Sequence, residues 1–309
     1  MKYKEWLRIW IENYIKPSAK ANTVACYESM IENHIVPHLG ELELDQVKPM
    51  AIQTFVTKLL AHGNEKTGKG LSANTVNLLI TLVQSSLEVA CSVGYIAEFS
   101  ANKIKRPKVK EKAITCFSLE EQKKLETYIK NRQKPRLIGI LLCLYTGLRI
   151  GELMALEWSD IDFEKREMHI NKSCSDGKNA NGKFGRLVDT PKTVTSRRIV
   201  PLPKQLIPIL KDTKRKNGSR YVVGDREAVI SVRSYQRTFE LLLKRLNIPH
   251  RGFHSLRHTF ATRALECGMD VKTLSEILGH KSPAITLARY AHSLMDHKRE
   301  MMNRVGKLL

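Results

Sequence analysis

The chain has 309 residues, of which 42% are apolar, and 52 Lys and Arg stand against 31 Asp and Glu, a formal charge of +21. That length suffices for two domains with at least one sizeable core, and that apolar content excludes a disordered polyelectrolyte. An excess of positive charge spread along a folded chain points to a polyanionic partner, nucleic acid before an anionic membrane surface.

The N-terminus, Met1-Lys2-Tyr3-Lys4-Glu5, has no apolar signal core behind its positive charges. Residues 1–100 predict a helical domain. Lys4 to Tyr14 carries Trp6, Leu7, Trp10, Ile11 and Tyr14 at helical spacing; a second helix runs from about Thr23 to Ile35 and ends at Pro37. A third covers about Pro49 to Leu60. A fourth follows Ser72, with Val76, Leu79, Ile80, Val83, Leu87 and Ala90 on one stripe. Four such helices can bury one small core against each other. Gly63 to Lys69 fits Gly-x-x-x-x-Gly-Lys, but Gly70 replaces the Ser or Thr and no strand precedes it, so ATP is not implied.

Residues 101–115 break the pattern. Lys103, Lys105, Arg106, Lys108 and Lys110 crowd around Pro107, which reads as a basic linker laid along a phosphate backbone. Ser118-Leu119-Glu120-Glu121 is a capping box that restarts helix, so a second domain begins near residue 116. Helices are expected at about Leu119 to Asn131 and Pro135 to Tyr145. The apolar run Leu137 to Leu148 within this stretch is too short to span a bilayer. Then comes Thr146-Gly147-Leu148-Arg149-Ile150-Gly151-Glu152. An arginine between Leu148 and Ile150, straight after an apolar helix, is either a paired structural ion or an anion ligand.

From Trp158 to Pro201 the period falls to two: Met168 and Ile170, then Leu187 and Val188, then Arg198-Ile199-Val200. This predicts a small antiparallel sheet with Lys192 in the turn of its last hairpin. Helices return at Pro203 to Lys214 and Ser231 to Leu246, followed by His254-Ser255-Leu256-Arg257-His258, where His254 and Arg257 stand three apart. Leu274, Ile277 and Leu278 line a further helix before Gly279-His280, and Tyr290 follows ten residues later. Residues 293–309 read as an amphipathic C-terminal helix with Leu294, Met301, Met302 and Val305. The six cysteines form no Cys-x-x-Cys pair, which argues for reduced thiols and against a zinc ribbon.

Residues 116–292 thus offer Arg149, Lys192, His254, Arg257, His280 and Tyr290. Two arginines can clamp a phosphate and stabilise charge as a pentavalent transition state forms. A lysine can protonate a leaving oxygen, a histidine can take the proton of a phenol, and Tyr290 is the nucleophile this set calls for. No carboxylate cluster stands out to hold magnesium, so the chemistry read from these residues is metal-free transesterification without a cofactor.

The order Arg, Lys, His-x-x-Arg, His, Tyr, with the strings TGLRIGE, HSLRHTFAT and LGHKSPAITLARYAH, resembles the tyrosine recombinases, also called the phage integrase family. The likeness is strongest from about Phe117 to His292 and weaker over the first hundred residues. It implies a mainly α protein with a small antiparallel sheet: an all-α, SAM-like core-binding domain and a mixed α/β catalytic domain. It further implies a site-specific enzyme that breaks and rejoins DNA through a 3′-phosphotyrosyl intermediate, integrating or excising a mobile element. By the resemblance Arg149 and Arg257 bind the scissile phosphate, Lys192 protonates the 5′-hydroxyl, His254 is general base or acid, and His280 donates a hydrogen bond to the phosphate. Tyr290 attacks, while Glu152 and His258 orient the site or pack the helix. The expected partners are double-stranded DNA carrying two recombination sites, a homotetramer joined by the exchanged C-terminal helix, and accessory DNA-bending proteins, with no membrane, in a prokaryotic cytosol. An additional arm-binding domain, carried by many such integrases, is expected to be absent or removed from this chain. The competing readings are a non-catalytic DNA-binding regulator on the same scaffold and a type IB topoisomerase-like relaxation activity; a metal-dependent nuclease ranks last.

Overall fold

The computed structural model describes residues 1–64, 67–100, 103–109, 115–132, 134–178, 184–189, 197–224 and 230–290, with 299, 302, 303, 305 and 306 near the C-terminus. Two compact units divide it, Met1–Lys112 and Ala113–Leu309. The fold is mainly helical, with small antiparallel sheets in the second unit.

In the first unit, α1 (Tyr3–Trp10) turns Tyr3, Trp6, Leu7 and Trp10 inward and runs on as a wider turn through Ile15. Helix α2 (Ala21–Met30) likewise continues through Ile31–Ile35 into α3 (Val36–Leu39), so Pro37 sits in a helical first turn rather than ending the helix. Pro49 opens α4 (Pro49–His62) in the same way. Ser72 caps α5 (Ala73–Ser92), its Oγ accepting from the Thr75 amide. By length and composition α5 is apolar enough to cross a membrane, but its stripe of Val76, Leu79, Ile80, Val83 and Leu87 is spent on the core it shares with Trp6 and Trp10. The Trp6 indole donates to the Ser86 carbonyl at 2.9 Å, and the Tyr3 hydroxyl pairs with Ser86 Oγ at 2.7 Å, so the aromatic groups bury their polar ends satisfied.

The basic segment at the end of this unit packs against its helices. Ile104 enters the core, the Lys105 amide donates to Gln53 Oε1, and the Arg106 guanidinium donates to the Asn77 carbonyl, Thr81 Oγ1 and Gln84 Oε1 of α5. Lys103, Lys105 and Lys108 stay exposed, whereas Lys110 lies outside the described residues.

In the second unit the capping box forms: the Glu121 amide donates to Ser118 Oγ and the Ser118 amide to Glu121 Oε2, starting α6 (Leu119–Arg132). Helix α7 (Pro135–Thr146) is buried along nearly its whole length and forms the centre of the larger core. After the short α8 (Ile150–Ala155) come β1 (Ile161–Asp162), β2 (Glu167–Ile170), β3 (Ser173–Lys178), β4 (Phe184–Asp189) and β5 (Arg198–Pro201).

One expectation is corrected here. The strands make two sheets, β1-β2-β5 and β3-β4, so β5 does not close a hairpin with β4. Val200 lies opposite Met168, both buried, and that register brings the inward side of β5 onto the core beside β2. Val188 on β4 is exposed, so β4 offers β5 no comparable face. Lys192 falls between these strands, outside the described residues.

Helices α9 (Ile207–Lys216), α10 (Val232–Arg245), α11 (Ser255–Glu266), α12 (Val271–Leu278) and α13 (Pro283–Tyr290) complete the unit. The helix expected over 293–309 lies outside the described residues except at 299, 302, 303, 305 and 306, which are helical.

Candidate active site

The site is assembled where two helices stop. Helix α7 ends at Gly147 and α12 at Gly279, both left-handed with φ of 67° and 64°. Such a stop leaves carbonyls without helical partners. At Gly147 a side chain is doubly excluded, because a Cβ there would lie 2.5 Å from Phe260 Cδ1 and 2.7 Å from Leu278 Cδ2. The stranded carbonyls are taken up by guanidinium groups. Arg257 Nη1 donates to the Gly147 carbonyl at 2.9 Å and Nη2 to the Leu278 carbonyl at 2.8 Å; Arg149 Nη2 donates to the Gly279 carbonyl at 3.0 Å. Arg257 thus ties the two turns together, and Arg149 is fixed to the second of them.

Arg149 is the extended residue that precedes α8, and Glu152 in the first turn reaches back to it. Glu152 Oε2 accepts from the Arg149 amide at 2.9 Å and Oε1 from Arg149 Nη1 at 2.8 Å. Of the two alternatives for Arg149, the pairing is present; its side chain is also 37% exposed, and two of its five N–H donors are taken by the groups just named.

Arg198, read from the sequence only as a strand residue, joins the same carboxylate, a neighbour that sequence reasoning missed. Its Nη1 and Nη2 each donate to a Glu152 oxygen at 2.9 Å, and its Nε to the Ile277 carbonyl at 2.5 Å, with the side chain 6% exposed. An arginine opening an otherwise apolar strand was the only available signal.

Burial alone would raise the Glu152 carboxyl, but the bonds and charges of Arg198 and Arg149 hold it down to about 2. Burial and the neighbouring charge of Arg149 pull the Arg257 guanidinium down to about 9, with Arg198 adding to that and Glu152 and Tyr290 opposing it. Arg257 stays protonated at neutral pH. Three guanidiniums thus share one carboxylate among the described residues, and the local field calls for an anion.

His254 and Arg257, three residues apart, differ in burial. His254 is exposed at the start of α11, whereas Arg257 is 2% exposed beneath it. The His254 ring stands edge-on to His258 with centroids 4.6 Å apart, and His258 Nδ1 lies 2.7 Å from the Tyr290 hydroxyl. His258 is half-buried and Tyr290, the last residue of α13, is 1% exposed. His280 Nδ1 pairs with Thr286 Oγ1 at 2.7 Å, linking the turn after α12 to α13. Arg149, His254, Arg257, His280 and Tyr290 are brought together around α11, α12 and the end of α7; Lys192 lies outside the described residues. Among the described residues no three His, Cys, Asp or Glu side chains converge as metal ligands.

Comparison with known proteins gives this arrangement its context. Residues 109–297 match the phage integrase family and residues 2–60 the N-terminal SAM-like domain of phage integrases. The chain is 31% identical to a tyrosine recombinase XerC-like protein of Caldanaerobacter subterraneus subsp. tengcongensis, over 98% of this chain and 82% of that one. It is 26% identical to the transposase from transposon Tn916 of Enterococcus faecalis, over 96% and 76%. The Tn1549 transposon integrase, solved in complex with a circular intermediate DNA, superposes with a TM-score of 0.80 at 22% identity and covers 99% of both chains. The chain belongs to the phage integrase family, the tyrosine recombinases.

Proposed function

We propose that the chain is the site-specific recombinase of a mobile element, cutting and rejoining DNA with Tyr290 as nucleophile. The observation that carries this reading is the convergence of Arg149 and Arg198 on Glu152 and of Arg257 on the adjoining turns, with the buried Tyr290 hydroxyl 2.7 Å from His258 Nδ1 on the same helix as Arg257. The Tyr290 oxygen attacks phosphorus, its proton passes to a histidine, and the bond to the 5′-oxygen breaks as that oxygen takes a proton from Lys192. The 5′-hydroxyl of a second strand then attacks the phosphotyrosine and releases the enzyme. Arg149 and Arg257 hold the non-bridging oxygens and spread the developing charge, which lets the reaction run without a metal. His280, braced by Thr286, donates to the same phosphate.

The structure adds a choice to the proton acceptor. His258 is the imidazole bonded to the phenol in this arrangement, and the exposed His254 stands one ring further along. Either imidazole serves as the base in this reading.

The remaining assignments rest on the resemblance and on charge. Residues 1–100 grip DNA as a core-binding domain, 101–115 link, 116–292 carry the chemistry, and 293–309 exchange between subunits of a tetramer on two duplexes. Lys103, Lys105, Arg106, Lys108 and Lys110 contact the backbone; of these, Arg106 gives its guanidinium to α5 and contributes its charge from there. The protein acts in a prokaryotic cytosol, with DNA-bending proteins supplying direction.

The test is covalent capture. The full chain is incubated in EDTA with a randomised pool of nicked duplexes, and protein-linked DNA is recovered under denaturing conditions. An adduct that vanishes in Tyr290→Phe is the expected result. Adducts that survive the substitution, or none from wild type, would overturn the reading.

A further inference from the structure

Building on that mechanism, we propose that Arg198 is a positioning residue for the phosphate-binding site: it saturates Glu152 so that Arg149 keeps donors turned outward for the scissile phosphate.

The Glu152 carboxylate takes hydrogen bonds from both Arg198 Nη1 and Nη2, one on each oxygen, and one each from Arg149 Nη1 and the Arg149 amide. Each oxygen thereby receives two donors. The fork of Arg198 matches the carboxylate edge, the geometry in which a guanidinium binds a carboxylate most tightly. Arg149 is left with a single side-chain bond to Oε1, and its Nη2 goes to the Gly279 carbonyl. Without Arg198 the carboxylate, 5% exposed, would hold lone pairs that water reaches poorly, and Arg149 is the neighbouring donor able to fill them. A two-pronged Arg149–Glu152 pair would draw Nη2 off Gly279 and commit the guanidinium to the carboxylate. Arg198 competes for the anion so that Arg149 remains available.

A second link runs through the backbone. Arg198 is the first residue of β5, six residues after Lys192, and its Nε holds the Ile277 carbonyl one turn before His280. One buried side chain therefore connects the strand following Lys192, the carboxylate behind Arg149, and the end of α12 that presents Gly279 and His280. A displacement of about 1 Å at any of these costs on the order of 10²-fold in rate when reacting groups must be aligned.

The experiment uses the full chain and a nicked duplex recovered by the covalent capture above. Dissociation constants and single-turnover rates of the Tyr290-dependent adduct are measured for wild type, Arg198→Lys, Arg198→Ala, Glu152→Gln and the Arg198→Ala/Glu152→Gln double variant. Arg198→Ala is expected to slow adduct formation on the order of 10²-fold while binding changes by less than about 3-fold, because the lost interaction serves the transition state. Arg198→Lys keeps the charge but not the fork, and is expected to stay folded and remain about 10-fold or more below wild type. In the double variant the losses should not multiply, since the two side chains act as one unit. Wild-type rates in Arg198→Lys, multiplying losses, or equal losses in binding and cleavage would each overturn the proposal. If Arg198→Ala fails to fold, Arg198→Lys alone decides by the same rate criterion. A wild-type chain without a Tyr290-dependent adduct fails the mechanism itself, whereas a wild-type adduct with unaffected Arg198 variants fails this proposal alone.

Discussion

Two carboxylates, one in each compact unit, are clamped between a pair of cations and held at about the same acidity, yet they mean different things. Glu41 in the first unit accepts from Lys2 and Lys4, and those hydrogen bonds lower it to about 2. Its side chain is 64% exposed, so water and salt compete with both lysines. Glu152 reaches about 2 against the opposing pull of burial, through two guanidiniums. The same acidity is a surface accident in one case and a buried commitment in the other. The units differ in the same sense throughout: among the described residues the first buries Ser86 as its polar side chain, whereas the second buries Glu152, Glu157, Asp160 and Arg257 as well as several Ser and Thr. A unit that only has to fold and present a surface can keep its charges outside. A unit that must hold a phosphate has to bring charge in and neutralise it incompletely.

The sharpest way to break this contrast is to remove the buried carboxylate. Glu152→Gln leaves Arg149 and Arg198 sharing a neutral amide, and is expected to cost about 3 kcal/mol of folding stability at neutral pH. The pH dependence has a definite sign. The folded carboxyl lies below its ordinary value of 4.5, so its contribution is complete above pH 4.5 and is lost as pH falls through 2. Urea unfolding of wild type and Glu152→Gln should therefore show a gap that is constant from neutral pH to about 4.5 and narrows below it. A gap near zero at pH 7 would mean the two arginines find other partners and that this site is not organised around its carboxylate.

The same contrast explains what was legible in the sequence. The first unit could be read from periodicity, because Trp6, Trp10, Val76 and Leu79 face one core and nothing polar competes for it. Even there one read helix end moved, since Pro37 sits in the first turn of a further helix and does not end one, whereas Pro49 opens its helix as read. In the second unit helices α6, α7 and α10 were equally plain, but strand pairing was not: β4 and β5 look like successive strands of one hairpin, and only the core beneath Met168 sends β5 to β2. The candidate site residues were read from their chemistry and from family resemblance. Their arrangement was not found, because the bonds from Arg257 to Gly147 and Leu278, and from Arg198 to Glu152, join residues 21 to 110 positions apart. His258, placed among the supporting residues, turned out to touch the phenol, a contact that depends on where α13 packs.

A smaller effect is expected where the backbone, rather than a charge, holds the site. Gly147→Ala meets Phe260 and Leu278 in a left-handed turn and should cost roughly 2–3 kcal/mol. Gly94 in the first unit is also left-handed, at φ 81°, but a Cβ there would meet nothing within 4 Å. Gly94→Ala should cost only about 1 kcal/mol, the backbone penalty alone. The comparison is made by urea unfolding of both variants in the full chain. Equal costs would show that Phe260 yields and that the turn carrying an Arg257 acceptor is softer than its packing suggests. Because the Gly147 carbonyl receives Arg257 Nη1, the Gly147 variant should also slow adduct formation, and the Gly94 variant should not.

The smallest effect is the one that tests the premise. Glu41→Gln removes an anion bonded to two lysines and also near the network in which the Met1 amine pairs with Glu43. Were acidity a measure of stabilisation, it would rank beside Glu152→Gln. It should instead leave the urea midpoint unchanged within error at physiological salt, because two flexible ammonium stems give up conformational freedom to reach an exposed carboxylate and water solvates them equally well apart. At low salt, where screening is weak, a slight loss should emerge and disappear again as salt is added. A midpoint shift for Glu41→Gln matching that of Glu152→Gln at every salt concentration would remove burial as the distinction between the two carboxylates. It would also require the Lys2–Glu41–Lys4 cluster to be ordered in solution as firmly as the guanidinium pair around Glu152.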